Sequence, residues 1–421
     1  MTDGAAGADG LDTRTPLLTA LIVAMFVCIA PVGYLWAIGF AALGALAGLA
    51  CAPMLVRTRQ PLWPVLPALA VVAWAMASLL WSRAGVDPHT LSRYADVEKL
   101  TGLKLVFQLA LYGALIAATR QVSSRGATLA LTVLAAVLGV LGLVILLDAS
   151  RGAAIYLHLT TLLGQHIHTD IARRNVTQGE YAIVLFVWCV SVRLFEMKLQ
   201  ALILLLFGCV IGASLMLHEA DAPLAALVLG LVAYLVVWNF RVWGVTILAA
   251  VTTLYWLAAP FAVMAAVREG IWMKLHQHVR ESWSQRLDIW GFSAARIGEK
   301  PWAGWGLDAS RTFGTAILLH THNAALQIWL ELGLVGAVLV TVFWLGLWTI
   351  IEGWARRDRA LAAAAAATAV SYLTIGGLSF GVWQEWWLAL GVMAAAALVC
   401  LKRSRVWWNA EPGSEKELVP L

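Results

Sequence analysis

The sequence predicts an all-α polytopic integral membrane protein with about twelve spans and a large outer loop between the ninth and tenth. Three observations lead there. Of the 421 residues, 61% are hydrophobic and 13% charged, whereas soluble globular chains hold about 45–50% and about 25%. A water-soluble enzyme and a disordered chain are both excluded. Uncharged apolar runs long enough to cross a bilayer recur from end to end, and Lys and Arg occupy alternate inter-span loops.

The spans are expected near 16–32, 34–55, 62–81, 101–119, 127–147, 179–195, 199–217, 223–240, 243–264, 323–351, 359–378 and 382–401. The stretch 16–55 is too long for one helix, and Pro31–Val32–Gly33 supplies the turn of a hairpin. One set of loops carries Arg57/Arg59, Arg120/Arg125, Arg193/Lys198, Arg241, Arg356/Arg357/Arg359 and Lys402/Arg403/Arg405. The alternate short loops, near 31–34, 218–222 and 379–382, have neither Lys nor Arg. Positive loops stay inside, so both termini are expected in the cytoplasm, with tails at 1–15 and 402–421 flanking a membrane domain 16–401. Met1–Arg14 lacks the basic start of a cleaved signal peptide, so the first apolar run is expected to remain as a span.

Cys28, Cys51, Cys189, Cys209 and Cys400 all lie inside apolar runs, which leaves no disulfide framework and no thiolate metal site. The 22 Trp suit interfacial anchoring among membrane lipids. A formal charge of +5 is ordinary for cytoplasmic membrane loops and implies no nucleic-acid partner.

Polarity gathers on the outer side. The segments near 82–100, 148–178 and 265–322 are long, and all nine histidines, His89, His158, His166, His168, His218, His276, His278, His320 and His322, fall there. Ionisable residues are almost absent from mid-span, Glu331 being the main exception, and no internal repeat is evident. An outer cavity at the membrane interface is therefore the expected working surface. Within 265–322, apolar residues at Trp272, Leu275, Val279, Trp283, Leu287, Trp290, Ala294 and Ile297 follow helical spacing. This marks an amphipathic lid or surface helix, stopped by Glu299–Lys300–Pro301 and followed by a tight turn at Gly304–Trp305–Gly306.

The tenth span opens with His322–Asn323. Asn323, Gln327 and Glu331 are four apart and form a polar stripe that must face the bundle interior. Glu331 lies about 12 Å below Asn323 and reads equally as a buried hydrogen-bond partner or as part of a site. Gly333, Gly336 and Ala337 would admit a close neighbouring helix. His322 stands at a helix start, where the macrodipole favours neutral imidazole. It reads either as a solvated interfacial histidine or as a general base.

These residues carry a resemblance. His322–Asn323–x2–Leu326–x4–Glu331–x–Gly333–x2–Gly336, preceded by Arg286–x3–Trp290 and Pro301–x2–Gly304–x–Gly306, resembles the signature of the O-antigen ligase and O-antigen polymerase superfamily. The motif covers about 286–336, and the span plan extends the likeness along the chain. The resemblance implies a glycosyltransferase C-like fold in a Gram-negative inner membrane. It also implies metal-independent, inverting, cofactor-free glycan transfer on the periplasmic face. The donor would be undecaprenyl-diphosphate-linked O-antigen and the acceptor, for a ligase, lipid A–core oligosaccharide; a polymerase would use another carrier-linked repeat unit. A single dominant outer loop favours the ligase.

That chemistry requires a base at the acceptor hydroxyl, for which His322 is the candidate, and cations where the leaving diphosphate gains charge. Arg173 and Arg174, just before the sixth span, and Arg286 are the candidates, since guanidinium pairs with phosphate oxygens. Asn323, Gln327 and Glu331 would support the site. Trp290, Trp302 and Trp305 would stack on sugar rings or anchor the belt. Relatives often open the eighth span with Ser–Arg, but here His218–Glu219–Ala220–Asp221–Ala222–Pro223 stands instead, so a cation would come from elsewhere, such as Arg151 or Arg311. Glu219 and Asp221 could hold a divalent ion, as could His-x-His pairs at 166/168, 276/278 and 320/322, but a solvated loop accounts for them more simply. A lipid-linked sugar flippase would share the groove and cations without needing a base.

Overall fold

The computed structural model describes residues 6–55, 65–84, 100–217 and 221–406, with side chains from Thr15 onward. His89, Arg57, Arg59, His218 and Glu219, residues 1–5 and 407–421 of the tails, and most of the outer segment 82–100 lie outside the described residues. Among the described residues the chain is helical, without strands. Eleven helical segments among the described residues are long and apolar enough to cross a membrane.

The chain divides into two units. The first holds residues up to 56, 114–219 and 389 onward. Its helices include α1 (Ala6–Val27), α2 (Ile29–Leu35), α3 (Phe40–Cys51) and, beyond α4 (Leu66–Ser78) and α5 (Thr101–Thr119), α6 (Ser124–Ala149), α7 (Ala154–Leu162), α8 (Thr169–Glu196) and α9 (Gln200–Leu217). The first span runs Thr15–Leu35, and the chain turns at Trp36–Gly39 rather than at Pro31–Gly33. Pro31 falls in the first turn of α2, where no intrahelical N–H is needed. Gly33 instead brings its backbone against Gly179 of α8. That helix packs on α2, α6 and α9 and is the most enclosed of the candidate spans.

The second unit holds 57–113 and 220–388. It contains α4, α10 (Asp221–Phe240), α11 (Val242–Arg268), α12 (Ile271–His276), α13 (Glu281–Glu299), α14 (Ala324–Ala355) and α15 (Arg359–Leu378); α16 (Glu385–Val406) follows. Here α10 packs on α15, and α14 packs on α4, α11, α13 and α15. Twelve full spans were expected, but the third is only thirteen residues, Leu66–Ser78, below the roughly twenty a span requires. It ends where Ser78 and Ser82 bind the outer loop: Ser78 Oγ accepts from Leu307 N at 2.9 Å, and Ser82 Oγ donates to Leu307 O at 2.7 Å. The amphipathic stretch is likewise two helices, α12 and α13, interrupted at Gln277–Arg280.

Candidate functional site

The site begins with a break in α14. Gly333 has φ +65° and ψ −163°, so the helix is interrupted there. A break of this kind orphans carbonyls before it and amides after it, and the loop Pro301–Gly306 takes them up. Trp305 N donates to Leu330 O (2.8 Å), Gly306 N to Glu331 O (2.7 Å), Leu334 N to Pro301 O (2.8 Å) and Val335 N to Trp302 O (3.2 Å). The Leu332 carbonyl is taken by Trp74 Nε1 of α4 at 3.0 Å. Contact is backbone on backbone: a Cβ at Gly304 would meet Glu331 O, and one at Gly333 would meet Trp302 O, both at 2.4 Å. Both glycines also have positive φ. The close neighbour expected at Gly333 is therefore this loop, not another helix.

The polar stripe of α14 organises the same place. Glu331 is fully buried and accepts from Gln327 Nε2 (3.1 Å), Asp308 N (3.0 Å) and Trp383 Nε1 (2.6 Å). Gln327 Oε1 accepts from Val382 N at 2.9 Å. One carboxylate thus gathers the outer loop, the span and the turn after α15. Asn323 caps α14, its Oδ1 accepting from Leu326 N at 3.0 Å. Asp308, Trp383 and Val382 are partners that sequence reasoning missed. Their signal was thin: one of five acids in the outer loop, and a polar–aromatic run, Ser379–Trp386, in a short loop.

His322 lies one residue before the cap, with φ +54°. That left-handed value is uncommon for a side chain with a Cβ. The surroundings hold it: His322 N donates to His320 Nδ1 (3.2 Å), Thr321 Oγ1 donates to Asn323 O (2.7 Å), and Trp290 Nε1 donates to Thr321 O (2.9 Å). The half-buried ring makes a 2.8 Å hydrogen bond from Nδ1 to Ser379 O. A carbonyl only accepts, so this partner assigns the proton to Nδ1 and leaves a lone pair on Nε2. Burial lowers the His322 pKa below its usual 6.5; Ser379 O opposes this and the Arg286 charge adds to it.

His320 stacks edgewise beside it, ring centroids 4.2 Å apart. Burial first, then His322, Arg311 and Arg286, push its pKa down to about 3, so it too is neutral. Its Nδ1 accepts from His322 N, so Nε2 carries the proton. Gln384 Nε2 lies 3.3 Å from it while Gln384 Oε1 has no partner, so turning the amide over would bring an acceptor to this N–H.

The cations are arranged around these rings. Arg286 lies 4.8 Å over the Trp283 ring and donates to Ser282 O at 3.2 Å. Arg311 Nε is 3.5 Å from Asp308 Oδ1. Burial raises the Asp308 pKa, and Thr101, Arg311 and Lys104 counter it. Of the tryptophans, Trp305 is 7% exposed, donates to Arg296 O (3.0 Å) and is covered by Arg83 and Lys300. Trp302 is 70% exposed, its carbonyl held by Val335 N.

His322, Asn323, Gln327, Glu331, Arg286, Trp290, Trp302 and Trp305 all belong to the second unit; Arg173 and Arg174 belong to the first. These two arginines lie within α8, which begins ten residues earlier than the expected span, at Thr169. Nearby, Asp148 accepts from Tyr34 OH (2.8 Å), Ile155 N (2.7 Å) and Tyr156 N (3.2 Å), and Asn175 donates to Tyr156 OH (3.2 Å). Asp221 is engaged by Arg280 and Trp283, and His276 by Ser284 and Asp288. Among the described residues no three His, Cys, Asp or Glu side chains converge on a common metal position.

Part of the chain is similar to known proteins. Residues 201–341 match the family model described as O-antigen ligase. A Rickettsia conorii protein named "Putative polysaccharide ligase" is 32% identical over 123 residues, 26% of this chain and 29% of that protein. Proteins of the same description from Rickettsia typhi and Rickettsia bellii are 31% identical over 127 residues and 34% over 124, covering 27% and 26% of this chain and 31% and 30% of theirs. The chain thus spans about three-tenths of the length of the relatives it matches. From α9 through the break in α14, residues 201–341 are thus similar to the O-antigen ligase family.

Proposed function

We propose that the protein transfers a glycan from undecaprenyl diphosphate to lipid A–core oligosaccharide at the periplasmic face of a Gram-negative inner membrane, with both termini cytoplasmic. The observation that carries this is the His322 tautomer: a neutral imidazole with its proton on Nδ1, held by Ser379 O, and a lone pair on Nε2, beside Arg286. The acceptor hydroxyl oxygen attacks the anomeric carbon while its proton passes to His322 Nε2. The bond to the diphosphate oxygen breaks on the opposite face, so configuration inverts. Negative charge grows on the diphosphate, where Arg286 stabilises it. Asn323, Gln327 and Glu331 hold the histidine loop on α14. The reaction uses no cofactor and no metal, Asp221 being committed to Arg280 and Trp283.

The test is reconstitution in vesicles with carrier-linked O-antigen and, in separate reactions, lipid A–core or carrier-linked repeat unit as acceptor. Joining to lipid A–core, undiminished by a chelator, is the expected result. Extension of the carrier-linked unit alone would make the protein a polymerase. Passage of the carrier across the bilayer without joining would make it a flippase and overturn the assignment of the base.

A further inference from the structure

Asp221 opens α10, yet its carboxylate serves the outer loop. Oδ1 accepts from Arg280 Nη2 at 3.0 Å, and Oδ2 accepts from Trp283 Nε1 at 2.8 Å. Arg280 is the residue before α13 and Trp283 lies in that helix's first turn, so one carboxylate fixes the helix entrance. Trp283 then carries the Arg286 guanidinium on its face at 4.8 Å. The edge of the same pair of indoles leads onward: Trp283 and Trp290 meet edge to face at 6.5 Å, and Trp290 holds Thr321 O beside His322. The Arg280 side chain is 60% exposed, and an ion pair so open to water adds little to stability. Its value lies in direction: with Arg280 on one oxygen, the other is turned to the indole N–H.

We infer that Asp221 is a positioning residue for the diphosphate site, acting through Trp283 to hold Arg286 where the leaving group develops charge. This rests on the function proposed above. Asp221 touches no reacting atom. It fixes the plane of the Trp283 ring, and the ring fixes the guanidinium by cation–π contact. Phe at position 283 would keep the ring and lose the anchor; Asn at position 221 would keep one acceptor where two donors need one each.

A double-mutant cycle on glycan transfer by the reconstituted full chain separates this from a general structural role. Arg286→Gln is expected to lower turnover about 100-fold, and Asp221→Ala and Trp283→Phe about 10-fold each. Asp221→Ala combined with Arg286→Gln should be no slower than Arg286→Gln alone, because the group through which Asp221 acts is already gone. Asp221→Ala combined with Trp283→Phe should likewise match the single variants. Inhibition by added inorganic pyrophosphate should weaken in Asp221→Ala and Trp283→Phe, while melting temperatures stay near wild type. Asp221→Asn gives a second, milder variant, expected to fall between. Multiplying losses in the Asp221/Arg286 pair, or full turnover in Asp221→Ala, would overturn the positioning role while leaving the proposed reaction intact. Full turnover in Arg286→Gln would overturn the diphosphate assignment itself, and this inference with it.

Discussion

Two clusters of polar groups lie nine residues apart on the same stretch of chain and are built on opposite terms. Around Glu331 everything is buried and every partner is supplied: three donors meet one carboxylate, and five backbone groups orphaned at Gly333 are matched by Pro301–Gly306 and Trp74. Around His322 the ring is half-buried, the backbone sits at an uncommon φ, and one ring nitrogen holds its lone pair in reserve. The difference teaches how to sort polar residues in a membrane chain. Full satisfaction in the dry interior marks a strut, because any missing bond there is costly. An incompletely used group at a strained, water-accessible position marks chemistry.

The contrast breaks if substitutions at the two places have the same phenotype. His322→Ala should lower glycan transfer about 10²–10⁴-fold, the usual contribution of a general base, with the melting temperature nearly unchanged; a destabilised protein with normal specific activity would reverse the assignment. Glu331→Ala should do the opposite. Three donors lose their acceptor at about 1–3 kcal/mol each, so unfolding should move to lower temperature by an amount equivalent to about 3 kcal/mol or more, read by thermal melting in detergent. Glu331→Gln, which keeps one acceptor oxygen, should lose less.

A pH profile sharpens the contrast. As the proposed base, His322 must be neutral to accept a proton, and burial and Arg286 hold its pKa below 6.5. Transfer should therefore persist as pH falls past 6.5 and fail only further down, and Arg286→Gln should move that acid limb to higher pH. The same sign governs stability: the unfolded chain protonates His320 and His322 near 6.5 while the folded chain resists, to about 3 for His320. Stability is thus complete above about 6.5 and erodes with acidification below it. The smallest effect concerns the tryptophans. Trp302→Ala should change stability by about 0.5 kcal/mol or less, as for exposed positions generally, whereas Trp305→Ala, emptying a buried position, should cost about 3 kcal/mol.

Much of this was legible in the residues. Spacing alone put Asn323, Gln327 and Glu331 on one inward face, because helical periodicity is a local property. Apolar runs anticipated most of the spans, but Leu66–Ser78 is short, and a Pro–Val–Gly sequence that suits a turn is helix and packing surface instead. Gly333 was misjudged for a similar reason. A glycine in an apolar run signals close approach, but nothing local says whether a helix or a loop approaches. Trp383, Asp308 and Ser379 were out of reach because their partners lie 23 to 57 residues away, and pairing over that range is set by the packed fold.

The stitching of Pro301–Gly306 into α14 has a mechanical consequence. Lifting that segment would strip partners from several backbone groups at once in a nonpolar surrounding, so it cannot serve as a hinge. Movement of the outer loop is then left to the chain between Ala309 and Leu319, where short 3₁₀ turns and the exposed Leu318 and Leu319 replace regular helix. The stitched segment is the rigid part of the outer loop, and the chain that follows it is freer to yield.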